Sequence, residues 1–196
     1  MNTSTTTLLK YQQQIIVGIL LLLTMILTRG NITAHLQDAS WAVFFLVGFY
    51  FRGSSFARLG FPLFFLVAFI IDLVVIDAQG GTHYCFTPAY PFLIPAYAAM
   101  WFAGHWFAKH YEENVQGTVK FMAAGFVGVA VCFLISNAGF YFFSAKFEEM
   151  SVIQYTQSVA QYLPSYLKTT AVYLGFVALV HLAVKHGGKL LGHAHS

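Results

Sequence analysis

Long apolar runs, repeated along the chain and broken by short polar stretches, leave this sequence few ways to fold. A spanning helix needs about 20 mostly apolar residues; at least four runs reach that length, and two more fall slightly short or carry polar residues. The expected helices lie near Tyr11 to Thr28, Ser40 to Phe56, Gly60 to Ala78, Pro91 to Lys109, Thr118 to Phe143 and Tyr162 to Val184. Composition argues against a soluble helical bundle: 58% of the 196 residues are hydrophobic, 9% are charged, and phenylalanine alone occurs 21 times, more apolar surface than a soluble domain of this size can hide. The sequence therefore predicts an all-α membrane protein, one domain of six transmembrane helices over residues 1–196, with 186–196 as a flexible tail carrying His186, His193 and His195. No tandem repeat is visible, and no connection is long enough for a second domain.

Charge sets the expected orientation. With six spans both termini share a side, and Lys10, Arg52, Arg58, Lys109, Lys120, Lys185 and Lys189 fall on it, against Arg29, Lys146 and Lys168 on the other. Positive residues favour the cytoplasm, so both termini are expected there. The first run has only Lys10 before it, no small-residue cleavage site, and Arg29 directly after it, which reads as a retained helix rather than a secretory signal. The net charge of +3 comes from basic residues scattered at segment ends, with no patch or run, so nucleic acid is not an expected partner. No Walker sequence, Gly-rich phosphate loop or HExxH is present, which leaves no local motif for ATP hydrolysis or a catalytic zinc.

On this orientation the outward connections, Arg29 to Ala39, Gly80 to Pro91 and Ser144 to Gln161, are the longer ones and form the expected working face. The stretch from Gly80 to Pro91 contains no charged residue and carries His83, Tyr84, Cys85, Thr87, Pro88 and Tyr90. A lone cysteine cannot build a zinc site, but a soft thiolate can supply one axial ligand to a metal already held by a macrocycle. The plain alternative is a small buried hydrophobe. Cys132 lies inside an apolar run, so the two cysteines are expected to be unpaired.

Asp72 is the sharpest polar intrusion, set among Phe69, Ile70, Ile71, Leu73, Val74 and Val75. A carboxylate costs at least ~2.5 kcal/mol at mid-helix on insertion scales, so Asp72 should face the bundle interior and have a partner. That partner is expected to be a ligand-site group or, on a purely structural reading, Asn137 or Tyr90. Asp77 is expected at the interface. Tyr90 and Tyr97 flank Pro88, Pro91 and Pro95, which disfavour a regular helix start and should open a concavity; Ala96, Ala99 and Ala103 follow as a face for close helix packing. His105 and His181, each one turn before a lysine, offer a rival pattern, a pair that could clamp a haem iron in an electron-transfer subunit. A purely structural membrane subunit is the third reading.

Three features together resemble the BtuM family of cobalamin transporters: the block from Asp38 through Trp41 to Tyr50, Asp72 in the third run, and the block Cys85-Phe86-Thr87-Pro88-Ala89-Tyr90-Pro91 continuing to Tyr97. These are small bacterial membrane proteins similar to the substrate-binding S components of energy-coupling-factor transporters. The resemblance implies an S-component-like bundle in the bacterial inner membrane that binds cobalamin from the outer side. Cys85 would be the axial cobalt ligand, with Asp72 and Tyr90 as pocket neighbours and His83, Tyr84, Thr87 and Pro88 alongside. It also implies that a thiolate at cobalt could displace cyanide from cyanocobalamin. One departure stands out: S components that dock on the shared energising module carry Ala-x-x-x-Ala in their first helix, and Tyr11 to Arg29 contains no alanine.

Overall fold

The computed structural model describes residues 11–30, 36–54, 56–78 and 87–193. Among these residues every regular element is helical: α1 Tyr11–Arg29, α2 Ser40–Tyr50, α3 Phe56–Ala78, a single 3-10 turn Tyr90–Phe92, α4 Leu93–Phe107, α5 Val115–Phe143, α6 Val152–Ala160 and α7 Leu163–His193. Four segments are long and apolar enough to cross a membrane: Tyr11–Arg29, Phe56–Ala78, Val115–Phe143 and Val152–His181. Their outward sides suit lipid. On α3, for example, Leu59, Leu63, Leu66, Ile70, Leu73 and Val74 are all exposed, a stripe that would invite aggregation in water and is ordinary in a bilayer.

The other two expected spans are shorter than hydropathy suggested. The second was expected to run to Phe56 but stops at Tyr50, because Gly53 turns the chain with a φ of 76° and Ser54 closes that turn, donating its N–H (3.1 Å) and its hydroxyl (2.8 Å) to the Phe51 carbonyl. That left-handed conformation is open to glycine and costs other residues about 1–2 kcal/mol; Gly53→Ala is expected to destabilise the protein by that amount in a detergent unfolding titration. At 1.5 Å per residue α2 is about 16 Å long and α4 about 22 Å, each less than a hydrocarbon core of about 30 Å. Two more differences concern the C-terminal third. The connection expected from Ser144 to Gln161 contains α6, started by a reciprocal Ser151–Gln154 capping box, and α7 continues to His193 through most of the stretch read as a flexible tail.

Helix α2 is the centre of the bundle. Every residue from Ala42 to Phe49 is buried, which is the pattern of a helix apolar all round and sheathed by protein. Helices α1, α3, α4, α5 and α7 all touch it, α4 most extensively. The α2–α4 crossing is a backbone approach: a Cβ at Gly48 would fall 2.0 Å from the Trp101 carbonyl oxygen, and one at Gly104 would fall 2.0 Å from that of Phe45. Small residues at matching heights allow this closeness. Ala103, expected on a packing face, meets Gly128 of α5, where an added Cβ would lie 3.2 Å from it. Cys132 is buried and unbridged, and Asp77 is exposed, as an interfacial position requires.

Candidate functional site

The site forms where the ends of three helices and the turn before α4 converge. Helix α1 finishes on Arg29. Its buried neighbour Thr28 accepts the Ala39 N–H through Oγ1 (3.1 Å), which brings the start of α2 alongside. Asp38 fixes that start by accepting the Ser40 N–H (2.9 Å) and the Ser40 hydroxyl (2.6 Å) on Oδ1. Before α4, Thr87 begins a turn in which its carbonyl accepts the Tyr90 N–H (2.9 Å) and its Oγ1 accepts the Ala89 N–H (3.2 Å). The proline-rich sequence continues as one 3-10 turn, and this aims Tyr90 back at α3.

Arg29 is the hub of the cluster. Its Nε and Nη2 donate to Asp72 Oδ1 and Oδ2, both at 2.7 Å, the two-pronged geometry that makes arginine–carboxylate pairs strong. Its Nη1 donates to Asp38 Oδ2 (3.0 Å), Ser40 Oγ (3.1 Å) and the Tyr97 hydroxyl (2.8 Å). The Tyr90 hydroxyl donates to Asp72 Oδ2 at 2.8 Å. Burial, reinforced by the Asp72 carboxylate, pushes the Tyr90 phenol well above its ordinary value, so it remains a protonated donor.

One guanidinium between two carboxylates leaves one negative charge over. Side-chain exposure is 10% for Arg29, 20% for Asp72 and 42% for Asp38, so the surplus charge reaches solvent chiefly through Asp38. A cavity of about 530 Å³ opens beside the cluster, walled by Arg29, Asp38, Asp72, Tyr90 and Tyr97 on one side and by Ser136, Asn137 and Phe140 of α5 on another. Trp41 and Tyr166, stacked with ring centres 4.3 Å apart, complete it. This volume lies in the range of small-molecule sites. Its spare capacity is for accepting hydrogen bonds, which suits a ligand rich in N–H donors or positively charged.

Asp72, Tyr90 and Tyr97, singled out from the sequence, meet here. Of the two partners considered for Asp72, Tyr90 is one. Asn137 lines the cavity but donates to Phe133 of its own helix (2.8 Å) and accepts from Tyr155 (3.3 Å). Thr87 and the exposed Pro88 shape the entry turn without lining the cavity. Cys85, His83 and Tyr84 lie outside the described residues. Sequence reasoning assigned Arg29 only a topological role and missed that it is the main partner of Asp72. The signal was an arginine at the end of one apolar run and an acid inside another.

The rival histidine pair is not brought together at a common cavity. His105 lies flat against Trp101 (5.1 Å, 22°), while His181 meets Tyr111 edge-on (5.9 Å) and borders two apolar cavities that His105 does not line. Among the described residues no group of three or more His, Cys, Asp or Glu side chains is assembled to hold a metal ion. The chain matches no protein-family model, and no curated protein matches it at a significant level.

Proposed function

We propose that this protein captures cobalamin or a related corrinoid from outside the bacterial inner membrane and delivers it inward. On this reading the bundle crosses the membrane six times, counting the short α2 and α4, with both termini cytoplasmic. The observation that carries the proposal is the acceptor-rich cavity at the root of the Cys85 segment. That segment joins α3, which contributes Asp72, Val75 and Ile76 to the wall, to the turn contributing Ala89 and Tyr90. Ala89 lies four positions after Cys85, a reach of at most about 14 Å. A corrinoid carries amide groups around its ring, and their N–H donors match the spare acceptors of Asp38 and Asp72.

In this mechanism Cys85 offers its thiolate to the cobalt of the cargo as an axial ligand, while the arginine cluster and the Trp41–Tyr166 pair hold the periphery. Ligand exchange on cyanocobalamin is then balanced without electron transfer. A cobalt–sulfur bond forms, the cobalt–carbon bond breaks with its electron pair leaving as cyanide, and the metal keeps its oxidation state. Docking on an energy-coupling-factor module would have to proceed without Ala-x-x-x-Ala in α1.

The test is the visible spectrum of detergent-purified protein incubated with cyanocobalamin and freed of excess ligand. A stoichiometric, spectrally shifted corrinoid is expected in the parent, and its loss or reversion in Cys85→Ala. No retained corrinoid in the parent would sink the reading, and a haem absorption band abolished by His105→Ala would replace it with the electron-transfer alternative.

A further inference from the structure

Helix α6 meets the bundle along one edge. Tyr155 is its one buried residue. The ring packs against Tyr141 and Phe147 (4.9 and 4.8 Å between ring centres), and the hydroxyl donates to the backbone carbonyl (3.1 Å) and Oδ1 (3.3 Å) of Asn137 on α5. At about 100° per residue, Val152, Ile153, Tyr155, Thr156, Val159 and Ala160 fall on one side of α6, and Gln154, Gln157 and Ser158 on the other. The bundle covers only the Tyr155 and Val159 edge of the apolar side. Val152 and Ile153 are 55% and 71% exposed, with Thr156 and Ala160 exposed beside them. The Thr156 hydroxyl donates to the Val152 carbonyl of its own helix (2.8 Å) and so needs no water.

Three lengths place this helix at a membrane boundary. Along α5 the stretch between Lys120 and Asn137 is uncharged and about 26 Å long, close to a hydrocarbon core of about 30 Å, so Asn137 stands at the edge of that core on the Arg29 side. Leu163 to His181 is about 28 Å long and crosses the core without α6. Tyr166 packs on Phe133 (5.8 Å), one turn of α5 from Asn137, whereas a straight helix from Tyr155 to Tyr166 would advance about 16 Å. Helix α6 therefore runs mainly across α5, close to the membrane plane. No residue from Met150 to Leu167 is charged, and the exposed Phe142, Phe143 and Tyr162 flank α6 at both ends, continuing the lipid-facing surface of α5 and α7.

We propose that α6 is an interfacial helix whose partner is the lipid surface. Val152, Ile153 and Ala160 dip into the boundary between headgroups and acyl chains of the leaflet on the Arg29 side, while Gln154, Gln157 and Ser158 face water. Helices of this kind bury their apolar face about 5–10 Å into that boundary. With no basic residue on α6, the attraction comes from apolar area and does not need anionic lipid. Because Asn137 also lines the Arg29 cavity, α6 holds that wall of the cavity at headgroup depth. The proposal requires only that the chain spans a bilayer, and it stands whether or not the cavity takes a corrinoid.

The test uses full-length protein in dioleoyl-phosphatidylcholine vesicles, carrying Cys85→Ser and one nitroxide-labelled cysteine at a time: Ile153→Cys, Ala160→Cys, Gln157→Cys or, as a mid-bilayer reference on α5, Val127→Cys. All four positions are exposed, so a label needs no repacking, and the buried Cys132 is left in place. Collision with oxygen, which concentrates among acyl chains, is measured against collision with a water-soluble nickel chelate. The ratio is expected to be at least about three-fold higher at Ile153→Cys and Ala160→Cys than at Gln157→Cys, and lower than at Val127→Cys. Equal ratios at Ile153→Cys and Gln157→Cys would put the helix in water, and a ratio at Ile153→Cys equal to that at Val127→Cys would make α6 part of the α7 span. Shielding of the Ile153→Cys label from both collision partners would mean that a second copy or another protein covers this face. Each of these three results overturns the proposal.

Discussion

Arg29→Met is expected to destabilise the protein by about 3 kcal/mol or more, read as a lowered unfolding midpoint in detergent, because it strips Asp72 of its charged partner inside the bundle. Among the described residues Arg29 is the one cation bonded to both carboxylates. Tyr90 alone would then face Asp72, and a single neutral donor does not replace two charge-assisted bonds. Asp38 contributes less to the loss, since its carboxylate is substantially exposed and solvent screens it. Adding Asp72→Asn to Arg29→Met should recover more than half of the stability, as removing both charges leaves only the solvent-exposed Asp38 carboxylate without its cation. Additive losses in the double variant would show that the pair is not coupled as its geometry requires. On the corrinoid reading, retention should fall in both variants, because Arg29 ties α1 to Asp72 of α3, Ser40 of α2 and Tyr97 of α4 beside the cavity.

Gly104→Ala has the second large effect. A methyl group there would sit 2.0 Å from the Phe45 carbonyl oxygen and 3.0 Å from the Phe49 nitrogen, and neither belongs to a side chain that can rotate aside. The helices must separate, at an expected cost of at least about 1–3 kcal/mol. Gly48→Ala should cost a similar amount, since it strikes the Trp101 carbonyl at the same crossing. The double variant should cost clearly less than the sum, because one separation relieves both clashes. The shift should also reach the site: α2 carries Ser40 and α4 carries Tyr97, both bonded to Arg29. A parent-like stability for both single variants would exclude the close crossing.

Much of the site was legible one residue at a time. Asp72 announced itself by its cost among aliphatic neighbours, and Tyr90 and Tyr97 by the prolines around them. The hub was not legible, because an arginine after an apolar run is what any helix end at a membrane surface carries. Only the fold brings Arg29 within 2.7 Å of a carboxylate 43 residues away. Nor was the stacking of Trp41 on Tyr166 in the cavity wall legible, since the two residues lie on different helices.

Hydropathy by itself determined that the chain is helical, that several helices are long and apolar enough for a membrane, and roughly where each begins, because the cost of unpaired backbone in lipid admits no other reading of such runs. Tertiary structure alone decided which apolar run lies at the centre. Helix α2 is as apolar as the lipid-facing helices, and hydrophobicity cannot tell a neighbour made of protein from one made of lipid. That choice rests on Gly48 and Gly104 meeting the facing backbone, and on an ion-pair cluster whose members gain from one another only when four helices close around them.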